Sequence, residues 1–355
     1  MIVYKLGRSF AWNAAHPAKL PARPKRLAPM PARLFGRRLE SPLGIAAGPL
    51  PNARWIQAYA RLGYGLLTYA TVRSVARAAF PQPNLAFCHQ GDPTVVEARA
   101  PRRIDPGAVT WVASFGLPSA DPEEWRADVR RASDRLGDHQ LLIVSVAGTP
   151  APDGDGEQLA GDYARCARWA AEAGADVIEV HLSCPNITAE PPQMVFENAT
   201  LAAHVVERVR RAVGTRPLIA KLGATPSPRA LHDLAARLAP WLDGFILVDG
   251  LQRRVVKASG APALPGGREL AGVSGADVYD HCRIQVDELL AWRKAGAWDR
   301  AVLAVGGLTT VERARAALEA GADAAMVATA ALTDPLLAAR CRAAPAAPKR
   351  ARRRA

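Results

Sequence analysis

Eight short apolar segments alternate with amphipathic segments along most of this 355-residue chain. The apolar segments have the length of buried β-strands, and the segments between them repeat apolar residues at helical spacing. Several helical segments end in glycine just before the next strand, as helix C-termini often do. The predicted strands are 43–47, 66–70, 141–147, 176–182, 217–222, 243–248, 301–306 and 323–328, and the clearest predicted helices are 156–174, 197–213, 227–239, 276–295 and 310–320.

This alternation predicts an α/β protein with a (β/α)8 TIM barrel. A doubly wound sheet is the alternative, but its glycine-rich G-x-G-x-x-G turn is missing after the first strand. Two intervals, 73–125 and 249–275, are too long for plain connections, and the first contains another strand candidate near 110–115. We expect both to be long excursions at the C-terminal face, where such barrels carry their active sites.

The basic residues of the chain are concentrated at its two ends. Of the 46 Lys and Arg residues, nine lie in 1–38 and five in 349–355, which leaves 32 in the middle against 33 acidic residues. We predict a basic, Pro-rich, extended arm over 1–33, a barrel over 34–341 and a basic disordered tail over 342–355. The basic ends could contact anionic lipid or nucleic acid, although solvated ends are the simpler interpretation.

The cysteine count and the hydropathy of the chain limit the classes of protein to which it can belong. The five cysteines are odd in number and none forms a C-x-x-C pair, so neither a zinc site nor a disulfide framework is indicated. No apolar segment approaches the roughly 18 residues of a membrane span, and 1–20 lacks the apolar core of a signal peptide. We therefore expect free thiols, no metal and no transmembrane segment in a cytoplasmic protein.

Two strand ends look suited to a phosphate group, since a barrel carries its chemistry at the carboxyl ends of its strands. The seventh strand ends in Gly306 and Gly307 before a helix, and the eighth ends in Ala328 and Thr329. Backbone N–H groups at such turns point toward a bound phosphate. A Gly-Gly pair alone often marks only a turn, but the two ends together predict a phosphate site.

Two further strand ends suggest which ligand carries the phosphate. The first strand ends in the small residues Ala46, Ala47 and Gly48, which allow a flat ligand to approach the backbone. The fifth ends near Lys221, and a buried lysine is costly unless it meets an anion or an electron-rich ligand atom. A phosphate beside the last two strands, with a lysine under a ring, fits FMN better than a dinucleotide.

The fourth strand, V-I-E-V-H-L, leads directly into S-C-P-N at 183–186. Alternation places Glu179 and His181 on one face, and this polar face should point into the barrel. Cys184 then follows the strand end, in a polar loop above the ligand. A lone cysteine is often an inert core residue. Here a thiolate could instead act as a general base, although a thiol with an ordinary pKa of about 8.5 needs help at neutral pH.

From about Leu34 to Pro335 the sequence resembles the dihydroorotate dehydrogenase family. The S-C-P-N loop resembles the class of that family that uses cysteine as its base. The stretches that carry the resemblance, in the family's order and spacing, are S-P-L-G-I-A-A-G (41–48), S-F-G-L-P-S (114–119), S-V-A-G (145–148), S-C-P-N (183–186), A-K-L (220–222), A-G-V-S-G (271–275), V-G-G-L (305–308) and A-T-A-A-L (328–332).

The resemblance implies an FMN-containing barrel that oxidises a CH–CH bond next to a carbonyl, with a proton passing to a base and a hydride to the flavin. It implies that Cys184 is the base, that Asn186 contacts the substrate and that Lys221 lies near the flavin ring. The cofactor-binding positions that it implies are Ala46, Ala47, Thr71, Ser145, His181, Lys221, Val248, Gly275, Gly306, Gly307, Ala328 and Thr329.

Several substrate-binding positions depart from the family pattern. Ala70 replaces the usual lysine after the second strand, and Ala113 replaces an asparagine. His181 and Asp249 stand near two more asparagine positions, so that only Asn186 of that set is kept. Each hydrogen bond lost to a buried polar substrate costs about 1–3 kcal/mol. We therefore expect dihydroorotate to be a poor substrate, and Ala70, His181 and Asp249 to shape a site for another one.

Arg73, at the mouth of the second strand, could supply a replacement cation or could be a solvated loop arginine. The first hypothesis for function is an FMN-dependent CH–CH oxidoreductase of dihydroorotate dehydrogenase type with a dihydropyrimidine-like substrate. The alternatives are another pyrimidine-reducing flavin barrel, such as a dihydropyrimidine dehydrogenase or a tRNA-dihydrouridine synthase, and a non-catalytic barrel. The near-neutral centre of the chain argues against RNA, and retention of Cys184 and Lys221 argues against a loss of catalysis.

The electron acceptor stays open at this point, because fumarate, NAD through a partner subunit and quinone are all used in the family that the sequence resembles. The arm over 1–33 is shorter and richer in proline than the two-helix extension of quinone-linked members.

Overall fold

The central feature of the fold is a closed barrel of eight parallel strands, as seen in a computed structural model of the protein. All eight predicted strands take part, each pairs with the next in chain order, and the last closes on the first. The predicted (β/α)8 barrel is therefore confirmed. The structure describes residues 2–17, 19–90, 95–101, 103–183, 193–266, 268–296 and 298–343. The barrel strands are β3 (Leu43–Ile45), β4 (Leu66–Val72), β8 (Leu141–Val146), β9 (Val177–His181), β10 (Leu218–Leu222), β11 (Gly244–Leu247), β14 (Ala301–Val305) and β15 (Ala324–Val327).

Helices surround the barrel, and the five clearest predicted ones agree with the structure to within three residues at each end. Most begin at a Ser, Thr, Asp or Asn whose side chain accepts a hydrogen bond from a first-turn N–H, which satisfies an otherwise unpaired donor; Asp155 and Thr310 are examples. In the described part of the chain, no helix is both long and apolar enough to cross a membrane. The helices are α1 (Phe10–Ala15), α2 (Ala53–Ala60), α3 (Pro122–Ser133), α4 (Gly156–Glu172), α5 (Ala199–Val213), α6 (Pro228–Leu238), α7 (Tyr279–Lys294), α8 (Val311–Ala320), α9 (Thr329–Thr333) and α10 (Leu337–Ala343).

The two long excursions leave the carboxyl ends of β4 and β11 and together form a second, five-stranded closed sheet. The sequence predicted one of these strands, near 110–115, and missed the other four. Those four strands are short and carry polar or basic residues among the apolar ones, so they lack the continuous apolar pattern of the barrel strands. The strands of this sheet are β5 (Leu85–Gln90), β6 (Val95–Ala98), β7 (Thr110–Ala113), β12 (Leu251–Val256) and β13 (Leu270–Gly275).

Strand alternation divides the core into an inner and an outer part. On β9, Val177 packs inside the barrel with residues such as Ile143 and Ile219, whereas Ile178 and Val180 pack toward the helices. A hairpin of β1 (Ala32–Leu34) and β2 (Arg37–Leu39) adds its leucines to the inner cluster and covers the amino end of the barrel. The inner residues become polar toward the carboxyl end, where the candidate site lies.

The two ends of the chain differ from the prediction. The arm is not wholly extended, because Ser9 caps the helix Phe10–Ala15 by accepting a hydrogen bond from Trp12 N–H. The predicted tail begins too early, because Arg342 is part of α10, is 9% exposed and forms an ion pair of 3.1 Å with Glu40. Residues 344–355 lie outside the described part of the chain.

Candidate active site

A cavity of about 380 Å³ opens at the carboxyl ends of the barrel strands. Its wall combines barrel strand ends, both excursions and the N-terminal arm, so that residues far apart in sequence meet there. Many of the residues predicted from strand ends lie in this wall. The predicted residues that line the cavity are Ala47, Ala70, Thr71, His181, Lys221, Asp249, Ala328 and Thr329.

An ion pair between a buried lysine and a partly exposed aspartate forms part of the cavity wall. Lys221 Nζ lies 2.5 Å from Asp249 Oδ1, and the lysine side chain is 2% exposed. Burial alone would raise the pKa of Asp249, but the charges of Lys221 and then His181 outweigh it and hold that pKa well below its ordinary value. Burial lowers the pKa of Lys221, yet Asp249 and then Glu179 reverse this effect, and the pKa lies above its ordinary value. Both groups of the pair are therefore charged at neutral pH.

His181 is held on both sides of its ring. Its Nε2 lies 3.1 Å from Asp249 Oδ2, and its Nδ1 lies 3.0 Å from Thr71 Oγ1. The Thr71 hydroxyl also contacts Ser145 Oγ at 3.0 Å. Ser183 donates a hydrogen bond of 2.8 Å to Asp249 Oδ2. A continuous chain of hydrogen bonds thus joins Asp249, His181, Thr71 and Ser145 across the ends of three barrel strands and the loop after β11.

The register of the parallel strands explains this grouping. Lys221 on β10 pairs directly with His181 on β9, so both side chains reach the same level of the barrel. Glu179 lies two residues earlier on the same inward face of β9 and is fully buried. Neither of its carboxylate oxygens has a hydrogen-bond partner among the described residues. Its charge therefore acts on Lys221 through the barrel interior rather than through a direct hydrogen bond.

A smaller hollow of about 20 Å³ adjoins the cavity beside the last two barrel strands. At Gly307, where φ is +67°, a Cβ atom would overlap the backbone N of Tyr279, so no larger residue fits the turn without distortion. The wall of the hollow is rich in glycine and alanine, and it also includes Asp249, Thr309 and Met326. Its wall contains all five residues predicted for the phosphate: Gly275, Gly306, Gly307, Ala328 and Thr329.

Two predicted residues, Cys184 and Asn186, lie within 184–192 and so outside the residues that the structure describes. The other four cysteines are buried and unpaired. Burial raises the pKa of Cys88 and Cys282 to about 12. Such thiols do not lose a proton at neutral pH. Cys184 therefore stays the predicted base, and no described cysteine competes for that role.

Three predicted cofactor residues line neither the cavity nor the small hollow. Ala46, Ser145 and Val248 are each 0% exposed and lie behind the cavity wall. Ser145 is linked to the cavity through its contact with Thr71. Small or short side chains at these positions leave the space in front of them open.

The structure contradicts one of the two hypotheses for Arg73, namely that it is a solvated loop arginine. It is not a solvated loop residue, because it is 1% exposed. Its Nη1 donates a hydrogen bond of 2.6 Å to Gly148 O, and its Nε donates one of 3.2 Å to Leu117 O. The guanidinium thus ties the excursion to the barrel, which a loop position near a strand end does not reveal in sequence.

The sequence missed the part of the wall that comes from the N-terminal arm. Tyr4 and Phe10 line the cavity and pack edge-on against Phe115, each with ring centroids 5.8 Å apart. Trp55 Nε1 donates a hydrogen bond of 3.1 Å to Asn13 O and fixes the arm to α2. The signal that could have revealed the helix was Ser9 before an apolar, alanine-containing segment.

Arg313 is a second residue that the sequence did not single out. Its guanidinium lies 4.5 Å from the centroid of the Tyr279 ring, and its Nη1 donates a hydrogen bond of 3.1 Å to Gly307 O. Arg313 thereby braces the turn that bounds the small hollow. Nothing in the local sequence of a helical arginine indicates this role.

Comparison with known proteins gives consistent matches. The profile of the family described as dihydroorotate dehydrogenase matches residues 30–342. The dihydroorotate dehydrogenase of Dictyostelium discoideum is 29% identical over 320 residues, which cover 86% of this chain and 85% of that one. The dihydroorotate dehydrogenase (quinone) of Thermobifida fusca is 30% identical over 298 residues, covering 82% and 71%.

A solved structure agrees with the barrel fold. The crystal structure of DHODH from Eimeria tenella in complex with ferulenol superposes with a TM-score of 0.70 at 20% identity. The match covers 94% of this chain and 88% of that one. At this identity the likeness establishes the fold.

Proposed function

This chain belongs to the dihydroorotate dehydrogenase family of flavin-dependent dehydrogenases acting on a CH–CH bond, and we propose that it binds FMN across the carboxyl ends of its barrel strands. The observation that carries the proposal is the glycine-rich hollow that adjoins the larger cavity and shares Ala328 and Thr329 with it. The hollow suits a phosphate and the cavity a flat ring. At Gly48, where φ is +120°, an added Cβ would meet no atom within 4 Å, so the backbone there faces open space.

The described residues have the chemistry that a bound flavin needs. When bound, the flavin would accept a hydride from the substrate. Gly306, Gly307 and Thr329 would hold the phosphate through backbone N–H groups. Lys221, which its ion pair with Asp249 keeps charged and in place, would stabilise the negative charge that reduction brings to the ring. A fixed charge in a buried site is effective because it needs no reorganisation during the reaction.

We propose that the substrate is a small dihydropyrimidine-like compound without the carboxylate of dihydroorotate. Ala70 and Ala113 offer only methyl groups to the cavity. Lys221 is already paired with Asp249, and the guanidinium of Arg73, which also lines the cavity, is already directed to the carbonyls of Gly148 and Leu117. A buried carboxylate without a cation is strongly disfavoured, so an uncharged ring suits this wall better.

We propose further that a quinone reoxidises the flavin. Tyr4, Phe10, Phe115 and Leu332 make the arm side of the cavity apolar, which suits an apolar acceptor rather than fumarate or NAD. Several curated relatives carry the description dihydroorotate dehydrogenase (quinone). Reoxidation of the photoreduced protein by menadione should be much faster than by fumarate or NAD⁺, and the reverse order would exclude a quinone acceptor.

The cofactor is tested first. Protein expressed with excess riboflavin should release one FMN per chain on denaturation, identified by mass spectrometry. Release of FAD, or no flavin at all, contradicts the proposal and would favour a non-catalytic barrel.

The substrate is tested by anaerobic bleaching of the flavin. The wild type should react faster with 5,6-dihydrouracil than with dihydroorotate, and Ala70→Lys should gain at least about tenfold with dihydroorotate, since the new cation can pair with the carboxylate. Ala316→Lys, on the exposed face of α8, is the control. Rapid bleaching of the wild type by micromolar dihydroorotate would make the chain an ordinary dihydroorotate dehydrogenase.

A further inference from the structure

The hydrogen bonds around His181 run in one direction when the imidazole is neutral. Asp249 is ionised and accepts only, so His181 Nε2 carries the proton of their 3.1 Å contact. The unprotonated Nδ1 must then accept the hydrogen bond from Thr71. Thr71 Oγ1, whose proton is directed to the ring, accepts in turn from Ser145. Every proton in the chain therefore points from Ser145 toward Asp249.

The same connectivity activates hydroxyl groups in other enzymes. A carboxylate that holds an imidazole in one tautomer, with a hydroxyl on the opposite ring nitrogen, allows the imidazole to take the hydroxyl proton. Thr71 lines the cavity and is 5% exposed, whereas Ser145 behind it is 0% exposed. The Thr71 hydroxyl is thus the end of the chain that a ligand can reach.

We propose that Thr71, His181 and Asp249 form a proton relay that takes the proton released by substrate oxidation from the cavity and holds it on His181. The inference rests on the proposed function, since it needs a reaction that releases a proton. It adds to Cys184, because it describes where the proton goes after the first acceptor.

The step is balanced in atoms and electrons. Oxidation of a CH–CH unit would break two C–H bonds, passing a hydride with its two electrons to a bound flavin and one proton to the first acceptor. As that proton leaves the first acceptor and forms a new O–H bond at Thr71 Oγ1, the O–H bond that Thr71 already has breaks, and its proton forms an N–H bond at His181 Nδ1. The imidazolium is then paired with the Asp249 carboxylate. When product leaves, the same bonds reverse and the proton returns to solvent through the cavity.

Other groups around His181 share its electrostatic environment. Lys221 lies on the neighbouring strand and is paired with Asp249, which also contacts the ring, and Glu179 is buried two residues earlier on β9. From α4, the Tyr163 hydroxyl donates a hydrogen bond of 2.9 Å to His181 O and holds the backbone in place. Arg73, two residues beyond Thr71, is directed to the carbonyls of another loop. The Asp249 carboxylate is ionised and contacts the ring directly, so a proton added at Nδ1 would lie beside a negative charge.

The first test compares two threonines on the same strand. Thr68, three residues before Thr71 on β4, has a buried Oγ1 without a hydrogen-bond partner in the described structure. Thr71→Val should slow anaerobic reduction of the flavin by 5,6-dihydrouracil by at least about tenfold, a modest share of general acid–base catalysis. Thr68→Val should change the rate of flavin reduction by less than about threefold. Thr71→Ser, which keeps a hydroxyl, should retain most of the wild-type rate. An unchanged rate in Thr71→Val overturns the relay.

The second test is a double-mutant cycle. His181→Asn, which has no ring nitrogen to take the Thr71 proton, should slow flavin reduction by at least about tenfold while retaining FMN. Adding Thr71→Val to His181→Asn should cause little further loss, since both residues act in one relay. Losses that multiply in the double variant would contradict the relay.

The third test needs neither flavin nor substrate. In ¹⁵N-histidine spectra of the neutral protein, with His181 identified by its absence in His181→Asn, the proton should reside on Nε2 and the Nδ1 signal should shift in Thr71→Val but not in Thr68→Val. A proton on Nδ1 overturns the chain direction. If no FMN is bound, the proposed function fails, and these spectra still decide whether the relay exists.

Discussion

The ion pair of Lys221 and Asp249 shows how strongly a single buried residue depends on its partner. The lysine is 2% exposed, so its charge is compensated mainly by Asp249, 2.5 Å away. Removing one member of such a pair leaves an uncompensated buried charge and costs about 3–5 kcal/mol, whereas an exposed pair contributes about 0–1 kcal/mol. The pair therefore has consequences for both stability and catalysis.

Asp249→Asn should lower the free energy of unfolding by about 3–5 kcal/mol at neutral pH. Because the folded pKa of Asp249 is held below its ordinary value of 3.8, its stabilisation is present above that value and is lost as pH falls through the folded pKa. The difference between wild type and variant should therefore shrink below about pH 4. Urea unfolding at several pH values measures it.

The control for this prediction is Asp287→Asn on α7. Asp287 is 49% exposed in its ion pair with Arg283, so its replacement should change stability by less than about 1 kcal/mol. A wild-type advantage over Asp249→Asn that stays constant down to pH 3 would show that the carboxylate charge is not the source of the effect.

Cys184 is the residue on which the chemical prediction depends. Cys184→Ala should slow flavin reduction by about 10²–10⁴-fold, the usual contribution of a general base, and should leave FMN bound. Stopped-flow absorbance under anaerobic conditions measures the rate. Cys88→Ala, at a buried thiol in the second sheet, should change it little, and a normal rate in Cys184→Ala would remove that thiol from the mechanism.

At the scale of elements, two glycines with a similar positive φ have different surroundings. Gly307 and Gly260 have φ of +67° and +79°. A Cβ would clash with Tyr279 at the first and would meet nothing within 4 Å at the second. The turn after β14 therefore needs glycine both for conformation and for space, whereas the loop at Gly260 needs it only for conformation.

Gly307→Ala should weaken FMN binding by at least about tenfold and destabilise the protein by more than the approximately 1 kcal/mol expected for a left-handed alanine. Gly260→Ala should show only that smaller loss and should keep its FMN. Ultrafiltration of bound flavin and urea unfolding measure the two effects. Equal FMN affinity in both variants would argue against a phosphate at the small hollow.

At the scale of the whole molecule, the N-terminal arm closes one side of the cavity. Asn13 holds the arm together, since it is 2% exposed, accepts a hydrogen bond of 2.8 Å from Lys5 N and donates to the carbonyls of Lys5, Arg8 and Ser9. Val3 N–H donates to Leu332 O at 2.9 Å and joins the arm to the end of the barrel. The cavity is therefore complete only when the arm is docked.

Asn13→Ala should speed amide hydrogen exchange across 2–17 by about tenfold or more, since losing a buried hydrogen-bonding group costs about 1–3 kcal/mol. Exchange in α4 should not change. Asn198→Ala, at the N-cap of α5, is the control and should affect only that helix. Exchange in the arm at the wild-type rate would mean that other contacts suffice to hold it.

The sequence alone was enough for the barrel and the glycine turn at the end of its seventh strand, because these features are local. Apolar periodicity marks all eight barrel strands, and glycine at a strand end marks a turn whatever lies across it. Alternation within one strand was enough to direct Glu179 and His181 inward. The four other strands of the second sheet were missed because polar residues interrupt the apolar pattern by which the barrel strands were predicted.

Tertiary structure alone decided which charges and hydroxyls meet. Thr71 and His181 are 110 residues apart in sequence, and their contact depends on how β4, β8 and β9 are arranged around the barrel. The same holds for Lys221 and Asp249, for the burial of Arg73 and for the arm over the cavity. Sequence periodicity describes the face of an element but not its neighbour. The pairing of partners therefore follows only from the closed barrel, in which strand ends from distant parts of the chain share one small volume.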